Sequence, residues 1–292
     1  MSMNSFWRSK FAWSNSRHNQ WAECKKQYYF NNIKKYDGLP NDPGRELLWR
    51  LSELQKMPFL KGRLIHEAVK HQISNHNAGR GVDADIAKNF FLSQFDSTVK
   101  DMNLVITEAA NGFPPGEKEI NDIRKDGIKQ IENFCNIIWN NYKGVRCLGH
   151  EKNEEFFLDG IKVRIKYDLL TEKDGMHVIT DWKTGSSGFD DVDENIQIGT
   201  YFTWLNKTNG ISAGMIKGEV VYLKSCDTEI AEKTDADIKK IEEFIKKDSA
   251  EMLSVRSEED FPASPEPKRC IGCNFLSVCK EGKEVISSLK SQ

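Results

Sequence analysis

Between Ile161 and Leu169 apolar and charged side chains alternate without a break, with Ile161, Val163, Ile165, Tyr167 and Leu169 on one side and Lys162, Arg164, Lys166 and Asp168 on the other. A sustained period of two marks a half-buried strand and cannot be laid on one face of a helix. The run continues into Glu172-Lys173-Asp174-Gly175, whose Asp-Gly pair specifies a tight hairpin, and Met176 to Lys183 reads as the returning strand. A two-residue loop pairs Lys173 with Met176, and the same register carried back along the strands sets Asp168 opposite Asp181 and Lys166 opposite Lys183. Like charges opposed across a sheet repel unless something lies between them. A hard divalent cation such as Mg²⁺ or Mn²⁺, which takes carboxylate oxygens together with water and phosphate oxygens, removes the conflict. Lys183 projects from the Asp181 face and can orient an attacking water or neutralise charge on a pentacovalent phosphorus. An ordinary solvated charge ladder is the other reading of the same residues.

The rest of the chain places this hairpin in an α/β fold. Ahead of it, apolar and aromatic residues recur at helical spacing from Phe6 to Tyr36, Pro43-Gly44 opens a helix over Arg45 to Gln55, and Pro58 opens another through His71. Asp83 or Asp85 caps a helix bearing Ile86, Phe90, Val99, Met102 and Ile106. After Gly112-Phe113-Pro114-Pro115-Gly116 a long amphipathic helix carries Ile123, Ile131, Phe134 and Ile138 and ends near Gly144. Downstream of the hairpin come a helix from Asp193 to Leu205, a strand from Met215 to Lys224, and a helix with Ile238, Ile241, Phe244, Ile245 and Met252. The expected organisation is an N-terminal helical segment over 1–80, a helical insert over 81–144, a mixed sheet flanked by helices over 145–258 and a cysteine-rich tail over 259–292.

In 292 residues, 42 basic and 44 acidic side chains leave a formal charge of -2. Bulk charge therefore advertises no polyanion, and such a partner has to meet a local patch, for which Lys25, Lys26, Lys268 and Arg269 are candidates. No apolar run approaches membrane-spanning length and Met1 to Lys10 lacks a signal-peptide core, which points to a cytoplasmic protein with no membrane partner. Thiols stay reduced in that compartment, so the 7 cysteines suggest a metal or cluster site, or core thiols, rather than disulfides. Cys270, Cys273 and Cys279 form C-x2-C-x5-C, with Cys24 as the candidate fourth ligand, a set able to hold zinc or a 4Fe-4S cluster. Cys135, Cys147 and Cys226 fall outside the pattern. His66 and His71 are five apart rather than four, which defeats a zinc-protease helix, and the chain has no GxxxxGK[ST] loop of its own to drive a helicase.

Together these motifs resemble the PD-(D/E)XK nucleases, specifically the RecB-like exonuclease branch that carries an iron–sulfur cluster. Asp168 followed by Asp181-Trp182-Lys183 looks like the D…(D/E)XK core, and Gln197-Ile198-Gly199-Thr200-Tyr201 is similar to the branch's Q-x-x-x-Y motif. Gly62-Arg63-Leu64-Ile65-His66 looks like its G-x-x-x-H helix, and Trp21 to Phe30 around Cys24 resembles its amino-terminal cysteine segment. The resemblance implies a restriction-endonuclease-like mixed β-sheet. It implies His66, Asp168, Asp181 and the Trp182 backbone carbonyl as ligands to Mn²⁺ or Mg²⁺, Lys183 as the group assisting the attacking water, and Gln197 and Tyr201 as contacts to DNA. Glu154 or Glu155 is a further acidic candidate, as in many relatives. A 4Fe-4S cluster on Cys24, Cys270, Cys273 and Cys279 is also implied, and it would constrain the unfolded chain as a crosslink does. The implied activity is metal-dependent hydrolysis of DNA, exonucleolytic on single-stranded or unwound DNA, in repair, recombination or defence, with a helicase or a CRISPR-adaptation complex as partner. The alternative is a non-catalytic DNA-end-binding adaptor of such a complex.

Overall fold

A computed structural model of the chain describes residues 4–39, 41–186 and 195–290. Among the described residues five strands form one sheet in chain order: β1 (Arg146–Leu158), β2 (Ile161–Lys173), β3 (Met176–Lys183), β4 (Ile216–Tyr222) and β5 (Thr228–Ala231). The pairs β1–β2, β2–β3 and β4–β5 are antiparallel, and β3–β4 is parallel. This mixed sheet with flanking helices is the restriction-endonuclease-like α/β arrangement expected from the sequence.

The β1–β2 and β2–β3 hairpins turn on Asp-Gly pairs. Asp159 and Gly160 have φ of 47° and 84°, and Asp174 and Gly175 have φ of 53° and 80°. Two successive left-handed residues make a type I′ turn, whose twist matches the strands it joins. Lys173 pairs with Met176, and the ladder runs back to Leu169 opposite Thr180, where it stops. β2 alternates as expected only in its first half; from Tyr167 to Thr171 every side chain is buried. Consecutive strand residues point to opposite faces, so both faces of the sheet are covered at that level, and Asp168 is buried where the pattern suggested a solvated edge.

The chain divides into two compact units, one of residues 1–60, 98–117 and 247–292, the other of residues 61–97 and 118–246. The stretch 81–144 contributes to both. In the second unit, Trp182 of β3 is enclosed by Phe134 and Tyr142, with ring centroids 5.5 and 5.4 Å away. The helix Ile196–Asn209 is capped by Asn195 and closed by Gly210 at φ 67°. The start expected for it at Asp193 lies outside the described residues. Gly218 of β4 lets this helix approach the sheet, since a Cβ there would stand 2.8 Å from Ile198 Cγ2. The helix Met57–Asn77 buries Leu64, Ile65, Ala68, Val69 and Ile73, an apolar stripe at helical spacing.

In the first unit, Trp21 and Tyr29 pack on Phe261 with centroids 5.9 and 4.9 Å apart. Trp13 Nε1 donates to the buried Asp248 carboxylate at 2.7 Å. Asn111 donates to the carbonyls of Ile271 and Cys273 and so fixes the cysteine loop. Among the described residues no helix is long and apolar enough to cross a membrane.

Candidate active site

One turn after Gly62 the helix Met57–Asn77 presents His66. Its Nδ1 lies 3.2 Å from Glu151 Oε1 and 3.3 Å from Asp168 Oδ1. One ligand atom from each of these three residues lies within 4.8 Å of the others, and no other His, Cys, Asp or Glu trio among the described residues is gathered so tightly. Sequence reasoning missed Glu151 and offered Glu154 or Glu155 in its place. Glu155 is exposed and pairs with Lys162 at 3.2 Å and Arg164 at 2.6 Å, while Glu154 sits half-buried on β1 outside the trio. The register explains the difference. The Asp159-Gly160 turn pairs Leu158 with Ile161, and Lys152–Tyr167 and His150–Leu169 pair on either side of the position that sets Glu151 against Asp168. Glu151 adopts φ 47°, a left-handed conformation that costs a glutamate on the order of 1 kcal/mol and persists where its surroundings over-determine it.

Beyond Leu169–Thr180 the two strands part, so Asp168 and Asp181 do not confront each other across a regular ladder. Asp168 Oδ2 instead accepts the Trp182 N–H at 2.7 Å. The N–H and C=O of a strand residue point to the same edge, so the Trp182 carbonyl faces the Asp168 side. Asp181 Oδ1 accepts from Gln197 Nε2 at 2.8 Å and lies 3.2 Å from the Tyr201 hydroxyl. Lys183 Nζ sits 2.7 Å from Asp181 Oδ2 and donates to Gln197 Oε1 at 3.1 Å. Apart from that ion pair the buried Asp181 Oδ2 has no hydrogen-bond partner. The two lysines expected side by side go to different carboxylates, Lys166 to Glu151 and Lys183 to Asp181.

Tyr201, implied as a contact to DNA, lies in the interior behind Asp181. The residue is 1% exposed, its hydroxyl is 2.6 Å from the Lys166 carbonyl, and it accepts from Gln197 at 2.7 Å. The one-turn spacing does place Gln197 and Tyr201 on a common helix face. That face is turned toward Asp181, and the pair braces Asp181 and Lys183 from behind.

Burial works against charge at His66, Glu151, Asp168 and Lys183; ion pairs outweigh it at all of these but Asp168. Burial opposes the His66 imidazolium, but Asp168 and Glu151 outweigh it and lift the pKa to about 10. Glu151 is held below the usual carboxylate range because His66 and Lys166 outweigh its burial. Asp168 is pushed up by burial, against the pull of His66. Lys183 is raised because Asp181 outweighs the cost of burying its ammonium. The imidazole nitrogen of His66 and the carboxylate oxygens of Glu151 and Asp168 form a mixed N/O donor set that fits Mn²⁺ or Mg²⁺.

A second constellation lies in the first unit, where Cys24, Cys270, Cys273 and Cys279 line one pocket. Cys24 Sγ accepts the Ser264 N–H at 3.5 Å. Gly282 lies beside the pocket, where a Cβ would stand 3.2 Å from Leu276 Cδ1 and 3.6 Å from the sulfurs of Cys270 and Cys279. Burial pushes the Cys273 thiol up to about 12, and the other three cysteines add to the effect. No three of the sulfurs lie within 4.8 Å of one another. Tetrahedral zinc, with bonds of about 2.3 Å, needs sulfurs about 3.8 Å apart. Most of the basic residues beside the pocket are already engaged: Lys25 with Glu251 and Lys26 with Glu258, both at 3.0 Å, and Arg269 with Glu23 at 3.8 Å.

The model of the PD-(D/E)XK nuclease superfamily matches residues 12–280. The chain belongs to this superfamily. Membership implies a divalent-metal-dependent nuclease with DNA as its substrate, and the donor set around His66 is of the kind such an enzyme requires. Among solved structures, this PD-(D/E)XK protein is similar to the crystal structure of SSO0001, at 15% identity and a TM-score of 0.32 over 65% of this chain and 80% of that one. No curated protein matches the chain in sequence.

Proposed function

We propose that this PD-(D/E)XK protein is a deoxyribonuclease of the RecB-like branch that degrades single-stranded or unwound DNA from an end. The observation that carries the hydrolytic part is the convergence of His66, Glu151, Asp168, Asp181 and Lys183, with Gln197 bridging the last two. The exonucleolytic mode is supported by the G-x-x-x-H and Q-x-x-x-Y resemblances rather than by this geometry. His66, Asp168, Asp181 and the Trp182 carbonyl, with Glu151 added, are the residues that would hold Mn²⁺ or Mg²⁺. Such a cation, when bound, supplies Lewis acidity and a water of lowered pKa.

The chain's own groups do the rest. The Trp182 N–H fixes the Asp168 carboxylate, and the Gln197 amide fixes Asp181. Lys183, kept protonated beside Asp181, offers its ammonium to a phosphate oxygen and offsets charge that builds as phosphorus becomes pentacovalent. The four cysteines of the first unit would hold a 4Fe-4S cluster in this reading, supported by the C-x2-C-x5-C spacing and by the pocket that all four line. A helicase or another unwinding partner in repair, recombination or defence supplies the strand.

The test compares anaerobically purified wild type with Lys183→Ala on end-labelled single- and double-stranded DNA in Mn²⁺, Mg²⁺ or EDTA. Metal-dependent shortening from an end, lost in the variant, is the expected result. A folded wild type that binds DNA ends yet leaves them intact under every metal overturns the proposal in favour of the end-binding adaptor.

A further inference from the structure

Tyr201 is buried, Gln197 is bonded to Asp181 and Lys183, and most of the lysines and arginines beside the cysteine pocket are paired, so residues that hold a DNA strand have to be sought elsewhere. The first unit contains a cleft of about 510 Å³ lined by residues of the helices Asn15–Glu23 and Lys25–Asn32, by Leu54 to Phe59 and by Asn274. Its wall is dominated by carboxamides, among them Asn19, Gln20, Gln27, Asn31, Asn32 and Asn274, and Glu23 is the carboxylate that lines it. Part of this wall is locked. Gln20 Oε1 accepts from Asn31 at 3.2 Å and Asn32 at 2.7 Å, and Asn274 donates to the Leu54 carbonyl at 2.7 Å. Among the described residues, Asn19 and Gln27 spend no side-chain hydrogen bond on the protein.

At one side of the cleft Phe59 is 67% exposed, and Lys56 Nζ lies 5.5 Å from its ring centroid. Lys56 has no ion-pair partner among the described residues. Its stem rests on Gly272, where a Cβ would come 3.2 Å from Lys56 Cε, so the glycine between Cys270 and Cys273 makes room for this lysine.

Carboxamides present a donor and an acceptor on one planar edge, which is the pattern nucleobases display. An exposed aromatic ring offers a stacking face, and an unpaired ammonium beside it offers a phosphate contact. We propose that the cleft is a subsite for single-stranded DNA, with one base stacked on Phe59, the adjoining phosphate on Lys56 and base edges on Asn19 and Gln27. The ligand's identity rests on the nuclease reading above.

Fluorescein-labelled oligothymidylate titrated into the full chain in EDTA, where strand cleavage is suppressed, tests this by fluorescence polarisation. Phe59→Ala is expected to weaken binding by about five- to a hundredfold, the loss of one stacked base, and Phe59→Trp to restore it. Lys56→Gln should also weaken binding and reduce the slope of log Kd against log salt by about 0.7, the loss of one phosphate contact to a single strand. Unchanged melting temperatures keep these results from being read as misfolding. Wild-type affinity in both Phe59→Ala and Lys56→Gln overturns the subsite, whether or not the enzyme cleaves DNA. Preference for oligouridylate over oligothymidylate overturns the assignment to DNA. Tight wild-type binding that Phe59→Ala abolishes, with no cleavage under any metal, upholds the subsite and overturns the nuclease reading instead.

Discussion

Replacing Tyr201 with phenylalanine removes one oxygen and leaves the buried ring in place. That oxygen stands 2.6 Å from the Lys166 carbonyl, 2.7 Å from Gln197 Nε2 and 3.2 Å from Asp181 Oδ1. Burial, reinforced by Asp181, raises the tyrosine pKa well above its ordinary value, so the hydroxyl remains a donor at any working pH. Its loss strands a buried acceptor and weakens the hold on an amide. Each orphaned buried group costs about 1–3 kcal/mol, and we expect a net loss of about 2 kcal/mol. At about 2–4 °C per kcal/mol for a protein of this size, the melting temperature falls by about 4–8 °C. Gln197 then grips Asp181 and Lys183 less firmly, and kcat on single-stranded DNA drops about tenfold through lost positioning. Affinity for oligothymidylate in EDTA stays at the wild-type value, because a residue 1% exposed touches no strand. Calorimetry, single-turnover cleavage and polarisation read the three quantities. A variant with weakened DNA affinity and undiminished kcat would refute the bracing role and return Tyr201 to the strand contact suggested by its motif.

Glu151→Gln should lower Mn²⁺ affinity at least about tenfold by isothermal titration, while Glu155→Gln leaves it unchanged; equal affinities remove Glu151 from the ligand set. Asp126, whose burial is outweighed by the Lys61 ammonium at 2.5 Å, is held below the usual carboxylate range. A folded-state pKa below the unfolded value gives stability that is full above about pH 4 and vanishes as pH falls through the folded pKa. Asp126→Asn should therefore cost about 1 kcal/mol in urea titrations at pH 7 and progressively less toward pH 2. Cys273→Ser should abolish the visible absorbance of a cluster-loaded preparation and lower the melting temperature; a colourless, zinc-loaded wild type would contradict the cluster.

The hairpin at Asp174-Gly175 was legible because a type I′ turn leaves only one register, and Lys173 does pair with Met176. The same logic applied to Asp159-Gly160 would have set Glu151 opposite Asp168, yet β1 is hard to read as a strand. Its alternation is broken by Gly149 and by the left-handed Glu151, and its register shifts between Cys147 and Gly149. Burial of Asp168 was hidden for a different reason. Alternation reports one covered face, while cover on the second comes from residues remote in sequence. The motif Gln197 to Tyr201 located its helix face but not the face's direction, since polar residues turned inward toward a carboxylate look the same in sequence as polar residues turned to solvent. The carboxamide cleft left no pattern, because its walls come from short helices and one distant asparagine.

Every residue of the unit that bears the sheet is made before the segment 247–292, whereas the other unit needs both that segment and residues 1–60. Cys24 thus leaves the ribosome well ahead of Cys270, Cys273 and Cys279, by roughly ten seconds to a minute at about 5–20 residues per second. The sheet and its carboxylates can close while synthesis continues, but the cysteine pocket cannot exist until its last helix is made. Any metal or cluster held by the four cysteines would therefore be installed late, on a chain whose sheet and carboxylates can already be in place.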